Sequence, residues 1–290
     1  MWWSRCTRSF APDRRLAPLV ECGWVRSGSA TRSLRVMPDG CVDLFVSSQG
    51  DPMLAGPATT FYDLRPDNGC VLAGLRLRPG AAAAVVGRPV SDFTEHRVHV
   101  DSIFGVHGCL MAEKVLAATT PSQRVMALQD VLTGYLADAE PSVDTAVTRA
   151  IGIMRRNPGR PVSSLAAAVD LSERQLRRRF AAAVGYGPKR FGRILRFQRL
   201  LDLIHARGTR ARWAELAFEA NYVDQPHMIN ECLALAGMSP IALPGGTRGS
   251  RPDRVGRRVG LALFARRRAR TRVSVVGCAR RSLGTAQVDG

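Results

Sequence analysis

The apolar positions along the chain change their spacing near residue 110. Between about 32 and 110 they come in short runs broken by turn residues. SLRVMPDGCVDLFVSS sets a Pro-Asp-Gly turn between two apolar runs, and CVLAGLRLRPG alternates Leu75 and Leu77 with Arg76 and Arg78 before a Pro-Gly break. Runs of this kind predict strands, and together a β-rich half. AAAAVVG at 81–87 fits a short helix or a buried strand equally well, because periodicity does not separate the two in so short a run. After about residue 109 the spacing turns to three and four, through Met111, Val115 and Leu116 and then Val125, Leu128, Val131, Leu132 and Leu136. That spacing places side chains on one face of a helix. The polar, proline-bearing stretch DAEPSVD at 138–144 predicts the connection between halves, and 144–243 reads as helical throughout.

Within the helical block, VTRAIGIMRRNPG closes on an Asn-Pro-Gly stop and VSSLAAAV follows as a small-residue helix. Ser172 and Gln175 then form an S-x-x-Q capping box, which satisfies amide groups the first turn would leave orphaned and predicts a helix starting at Ser172. Leu176, Phe180 and Val184 make its apolar spine, with Arg174, Arg177 and Arg178 elsewhere on the cylinder. A longer helix opened by Gly187-Pro188 has Phe191, Leu195, Leu201 and Ile204 as its seam. After it, ARWAELAFEANYVDQPHMINECLALAG repeats the order small-residue helix, turn, helix. Leu165 and Leu216 take like positions in the two copies, as do Phe180 and Cys232, and each copy closes on a Gly-to-Pro break (Gly185 to Pro188, Gly237 to Pro240). The pattern is two helix-turn-helix units joined by a helix. Its basic outer face meets either water or a phosphate-lined partner.

Charge sharpens that choice. The chain of 290 residues carries a formal net charge of +18, with 46% hydrophobic and 23% charged residues, a composition that folds and has room for two domains. Much of the excess sits in the arginine-rich stretch 246–290, opposed there only by Asp253 and Asp289, but the remainder stays basic enough to favour polyanions. Lys114 and Lys189 are the only lysines, a skew that a GC-rich coding sequence also produces. The stretch 246–290 reads either as a disordered arm adding phosphate affinity or as coding sequence read in a shifted frame. Seven scattered cysteines with no C-x-x-C pattern read as free thiols in a reducing cytoplasm. MWWSRCTRSFAPDRR lacks the apolar core of a signal peptide, and no apolar run approaches 18 residues, so the expectation is a cytoplasmic protein without a membrane partner.

SLAAAVDLSERQLRRRFAAAVGYGPKRFGRILRFQRLLDLI, followed by LAFEANYVDQPHMINECLALAGMSP, resembles the two-unit DNA-binding domain of AraC-type transcription regulators over residues 144–243. VMPDGCVDLFV, LAGP and GLRLRPGAAAAVVG resemble a β-rich, sensor-like domain that often precedes such a module. The resemblance implies an α+β chain: a β-rich, cupin-like or barrel-like sensing domain over 1–140 with trailing helices, an all-α double helix-turn-helix over 141–245, and the tail 246–290. It implies double-stranded DNA as partner, read in two successive major grooves, with RNA polymerase and a small-molecule effector as further partners, an activator role, and neither cofactor, metal nor catalysis. Carried over by position, Ser172, Arg174, Gln175, Arg177 and Arg178 face DNA from the first unit, and Gln225, His227 and Asn230 from the second, with Asp224 as N-cap and Pro226 in the first turn. Lys189, Arg190, Arg193 and Arg196 on the joining helix are expected at phosphates, and Arg179 at a phosphate or a neighbouring carboxylate. Asn221 stands where glycine is usual, Asn230 replaces arginine and Cys232 replaces phenylalanine, so the second unit is expected to bind more weakly than the first.

Other chemistry is sparsely supported. Glu95, His96 and His99 lie close in sequence without a remote metal ligand, Asp39 and Asp43 read as turn and strand residues, and Cys41 has no base partner. The reading from a different class is a small-molecule enzyme or ligand-binding protein with its site in the N-terminal half. A third is an interaction module whose second unit no longer reads DNA.

Overall fold

The computed structural model describes residues 7–27, 34–50, 52–64, 69–137, 139, 141–207 and 212–243. The stretch 246–290 therefore lies outside the described residues.

In chain order the strands are β1 (Thr7–Phe10), β2 (Val20–Ser27), β3 (Leu34–Val36), β4 (Val42–Ser47), β5 (Pro52–Ala55), β6 (Tyr62–Leu64), β7 (Val71–Leu77) and β8 (Arg97–His99). Six of them form one sheet in the order β1-β2-β7-β4-β5-β8, antiparallel at every pairing, while β3 and β6 form a separate two-stranded antiparallel ribbon. The apolar runs flanking Pro38-Asp39-Gly40 thus belong to different sheets, and the turn is a crossing point. The stretch 81–87 resolves as a helix, α1 (Ala82–Val86), ended by Gly87 in the left-handed region.

Alternation along the strands feeds two cores. Val42, Leu44 and Val46 of β4 and Ala73, Leu75 and Leu77 of β7 face the helices α3 (Val106–Ala117) and α4 (Pro121–Ala137), where Met111, Val115, Val125, Leu128 and Leu132 cover them. A short helix α2 (Asp101–Phe104) precedes α3, so helical structure begins somewhat earlier than the spacing predicts. Each fully buried leucine here contributes about 1.5–3 kcal/mol of transfer free energy. The other face of the sheet carries Trp24, Phe45 and Leu72, which meet Cys70 and Leu64 near the β3–β6 ribbon.

Arg76 also points to that second face, and it is buried. Its guanidinium is closed between Asp39 and Asp43, each at 2.8 Å, and Trp24 Nε1 donates to Asp43 as well. Burial of an unpaired charge would be prohibitive, so the three groups are mutually required. Burial raises the Asp43 pKa against the opposing pull of Arg76; for Arg76 itself the desolvation that lowers it is outweighed by the two carboxylates, and its pKa ends well above the usual value. The strand β7 is thus buried on both faces.

The helical half comprises α5 (Thr145–Arg156), α6 (Val162–Ala167), α7 (Glu173–Val184), α8 (Pro188–Arg207), α9 (Trp213–Glu219) and α10 (Gln225–Ala236) around one core. The buried seam of α8 runs through Phe191, Ile194, Phe197, Leu201 and Ile204; Leu195, placed in the seam by its spacing of four from Phe191, is only partly buried. The two halves are in contact. Met37 sits in the helical core, Gln198 Nε2 donates to Pro38 O at 2.7 Å, and a Cβ on Gly80 would come within 2.7 Å of Ile151 Cδ1. Among the described residues no helix is long and apolar enough to cross a membrane, and the five described cysteines are free.

Candidate nucleic-acid interface

The first unit is α6, a turn, and α7. Asp170 occupies the left-handed region at φ 58°, which lets Leu171 N reach back to Ala166 O and Asp170 N to Ala167 O, so the open carbonyls at the end of α6 are satisfied. Ser172 then caps α7: its hydroxyl accepts from Gln175 N, and the Gln175 side chain accepts from Ser172 N. The capping box predicted from sequence is present, with Ser172 as the cap and Glu173 the first helical residue.

The second unit repeats this geometry. Asn221 sits at φ 66°, Tyr222 N bonds Ala217 O and Asn221 N bonds Phe218 O. Asp224 caps α10 by accepting from His227 N at 2.7 Å, with Pro226 in the first turn. Leu165 and Leu216 are both fully buried beneath their turns, and Phe180 and Cys232 are both fully buried on the second helices. From the first pair to the second the offset grows from 51 to 52 residues, because the second turn is one residue longer.

The buried faces of α7 and α10 leave a defined set of groups outward. On α7 these are Arg174, Gln175, Arg177 and Arg178, while Leu176, Phe180, Ala183 and Val184 are buried. Arg177 pairs with Glu173 one turn earlier. Among the described hydrogen bonds and ion pairs, no acidic group meets Arg174 or Arg178. Arg179 turns to the protein and chelates Asp144, resolving the choice between phosphate and carboxylate. On α10, Gln225 and Asn230 are exposed, while the His227 ring packs edge-on against Tyr222 and its Nε2 lies 3.5 Å from Glu231. Lys189 and Arg190, in the first turn of α8, are exposed.

Arg193 and Arg196 are engaged within the protein. Both donate to Oε1 of Glu231 at 2.9 Å, and Arg196, with a side chain 14% exposed, also lies over the Tyr222 ring. Glu231 is buried on the inner face of α10, and an unpaired carboxylate there would be costly, so it draws both guanidiniums to itself. Sequence reasoning overlooked Glu231, since nothing local distinguishes it from an exposed helical glutamate. Burial and the Glu231 charge push the Tyr222 phenol upward, and burial followed by the same charge raises the Cys232 thiol to about 12, so Cys232 stays a neutral core group.

Elsewhere, Glu95 accepts from the Thr59 hydroxyl and His96 Nδ1 lies 2.7 Å from Thr94 O. Among the described residues no group of three or more His, Cys, Asp or Glu is placed to hold a metal. Between the six-stranded sheet and the β3–β6 ribbon lies a small cavity of about 40 Å³. Trp24, Phe45 and Tyr62 supply aromatic walls, Asp43 and Arg97 the polar lining, and the Arg97 guanidinium stands 4.5 Å from the centre of the Tyr62 ring.

Two family models match the chain, Domain of unknown function DUF6597 over residues 8–99 and Helix-turn-helix domain over residues 165–243. The chain carries an AraC-type helix-turn-helix domain. Residues 165–243 thus form a helix-turn-helix domain of the AraC type, preceded over residues 8–99 by a DUF6597 domain. Among solved structures, ToxT from Vibrio cholerae is similar to this chain at 6% identity and a TM-score of 0.41, over 81% of this chain and 97% of that one. ToxT from Vibrio cholerae O395 gives a TM-score of 0.42 at 6% identity, over 75% and 94%. The O395 protein bound to (E)-4-(8-methylnaphthalen-1-yl)but-3-enoic acid gives 0.41 at 6% identity, over 81% and 97%. Similarity this distant carries no residue-level inference. No curated protein matches the chain.

Proposed function

We propose that the two units of the AraC-type domain enter successive major grooves on one face of DNA, with α7 and α10 as the reading helices. The observation that carries this is the repeated cap-turn-cap geometry at Asp170–Ser172 and Asn221–Asp224, which frees the N-terminal turns of both helices on the side away from the core. A helix fits the major groove, and each base pair displays its own donor and acceptor pattern there. The 20 residues of α8 span about 30 Å at 1.5 Å each. That is close to the roughly 34 Å between successive grooves on one face.

In this reading Arg174 and Arg178 reach guanine edges, Arg177 does so after release from Glu173, and Ser172 and Gln175 lie nearer the entering backbone. Gln225 and Asn230 read from α10, and His227 joins them only by leaving Tyr222 and Glu231. Lys189 and Arg190 neutralise phosphates, which orient the protein without reading sequence. The N-terminal half, residues 1–140, serves as the sensing domain for 141–245, and the small cavity walled by Trp24, Phe45 and Tyr62, with Asp43 and Arg97 as its polar lining, is the place in it for a small effector. Regulation at a promoter in the cytoplasm, through RNA polymerase, and without a catalytic step, completes the proposal.

The test is a pair of substitutions assayed on matched and scrambled sites at two salt concentrations. Arg178→Ala is expected to lose about 1–3 kcal/mol on the matched site and little on the scrambled one. Lys189→Ala is expected to weaken both alike and reduce the salt slope by about one. Equal losses on both sites for Arg178→Ala would remove it from the base-reading set.

A further inference from the structure

The last carbonyls of a helix have no partner within it and need donors from elsewhere. For both reading helices, donors come from the N-terminal half. Thr94 Oγ1 donates to Gly185 O at 2.8 Å, beyond the last turn of α7. Thr60 Oγ1 donates to Ala234 O at 3.0 Å, and Arg35 Nη1 to Ala236 O at 3.1 Å, in the last turn of α10. The arginine also brings positive charge to the negative end of the α10 dipole. Arg35 is held for this by a bidentate pair with Asp63 and by stacking 4.0 Å from the centre of the Phe61 ring.

Van der Waals contact follows the same pattern. A Cβ on Gly185 would lie 2.6 Å from Pro57 Cγ and 2.7 Å from Thr94 Oγ1, and one on Gly237 would lie 2.4 Å from Phe61 Cε1. Both glycines have positive φ, so each helix ends in a left-handed turn pressed directly onto the N-terminal half. Pro57, at the α7 end, and Thr60 and Phe61, at the α10 end, belong to the single connection between β5 and β6. That connection is tied to the Thr94 corner by Gly56 N to His96 O and Glu95 N to Pro57 O.

We propose that Thr60, Thr94 and Arg35 are positioning residues for DNA reading: the β5–β6 connection braces the rear ends of α7 and α10 and fixes the separation of the two half-sites the protein accepts. This rests on the two-groove reading above. The α8 helix joins the two units through their shared core, and the β5–β6 connection ties their rear ends a second time, on the side opposite the DNA. This brace assigns to the N-terminal half control of operator spacing, with base preference left to α7 and α10.

The experiment uses the full chain and a site selected from random DNA, compared with versions carrying one base pair inserted or deleted between half-sites. The unmodified chain is expected to lose about tenfold or more in affinity on either change, since each misplaced contact costs a free energy of that order. The Thr60→Val, Thr94→Val double variant is expected to bind the selected site a few-fold more weakly, to lose only about threefold on the altered spacings, and to keep the same bases within each half-site. Thr60→Ser with Thr94→Ser retains both donors and is expected to restore strict spacing. Arg35→Met, which keeps an apolar stem over Phe61, supplies an independent relaxed variant should the double variant fail to fold. Strict spacing at unchanged affinity in the folded valine variant, or in Arg35→Met, overturns the brace while leaving two-groove reading intact. Protection of one groove by the unmodified chain overturns the reading itself, and the brace with it.

Discussion

Arg179 of α7 sets Nε and Nη2 on the carboxylate of Asp144 at 2.7 and 2.8 Å, while that carboxylate also accepts from Val147 N and so caps α5. One acidic side chain thereby starts one helix and fixes α7, the second helix of the first unit. Its burial works against ionisation, but the bonds from Arg179 and Val147 prevail and hold its pKa below the usual carboxylate value.

Asp144→Ala should therefore destabilise the chain by about 1–2 kcal/mol, most of it the lost cap, because a half-exposed ion pair adds little. The folded pKa is depressed, so the contribution is fully present above the unfolded value near 4 and disappears as pH falls through the folded one. Chemical denaturation at neutral and acid pH checks this. The gap between Asp144→Ala and the unmodified chain should be constant from neutral pH down to about 5 and should close in stronger acid.

Glu231→Gln should leave Arg193 and Arg196 without their counter-charge and cost about 3 kcal/mol or more, since breaking a buried pair strands the remaining charge. Glu231→Met combined with Arg196→Met should recover much of that loss, because well-packed apolar replacement of buried ions is often neutral. Thermal melts of the single and double variants decide the matter. Equal losses in both would show that the buried charge is not the determinant.

The packing of α4 on the sheet makes two opposite predictions. Gly23 faces α4 so closely that a Cβ would lie 2.2 Å from Val125 Cγ1, so Gly23→Ala should cost about 1–3 kcal/mol through overpacking. Gly134 lies in α4 with nothing within 4 Å of a Cβ, so Gly134→Ala should stabilise by about 0.5–1 kcal/mol through helix propensity. Denaturant midpoints of the two variants should move in opposite directions.

The two helix-turn-helix units were legible because their determinants are local. Ser172 and Gln175 are three residues apart, Asp224 and Pro226 sit at the start of α10, and Leu176, Phe180 and Val184 repeat at the helical period. What escaped was held by partners distant in sequence. Arg76 is only the polar member of an alternating strand in the sequence, and Asp39 and Asp43, brought beside it across the sheet, explain its burial. Arg193 and Arg196 read as phosphate contacts because an arginine on a basic helix carries no mark of an internal carboxylate 38 or 35 residues away. Composition marks 138–144 as a connection, yet the bonds from Gln198 to Pro38 and from Thr94 to Gly185 join segments 160 and 91 residues apart and are invisible to any local pattern.

The central claim is that two helices of one chain read two grooves. Selection of bound sites from random DNA by the full chain, followed by footprinting at moderate salt, tests it most directly. Two short conserved blocks centred about 10 base pairs apart, both protected on the same face of the duplex, are the predicted result. A single protected block, or no enrichment of any sequence over the starting pool, would contradict it.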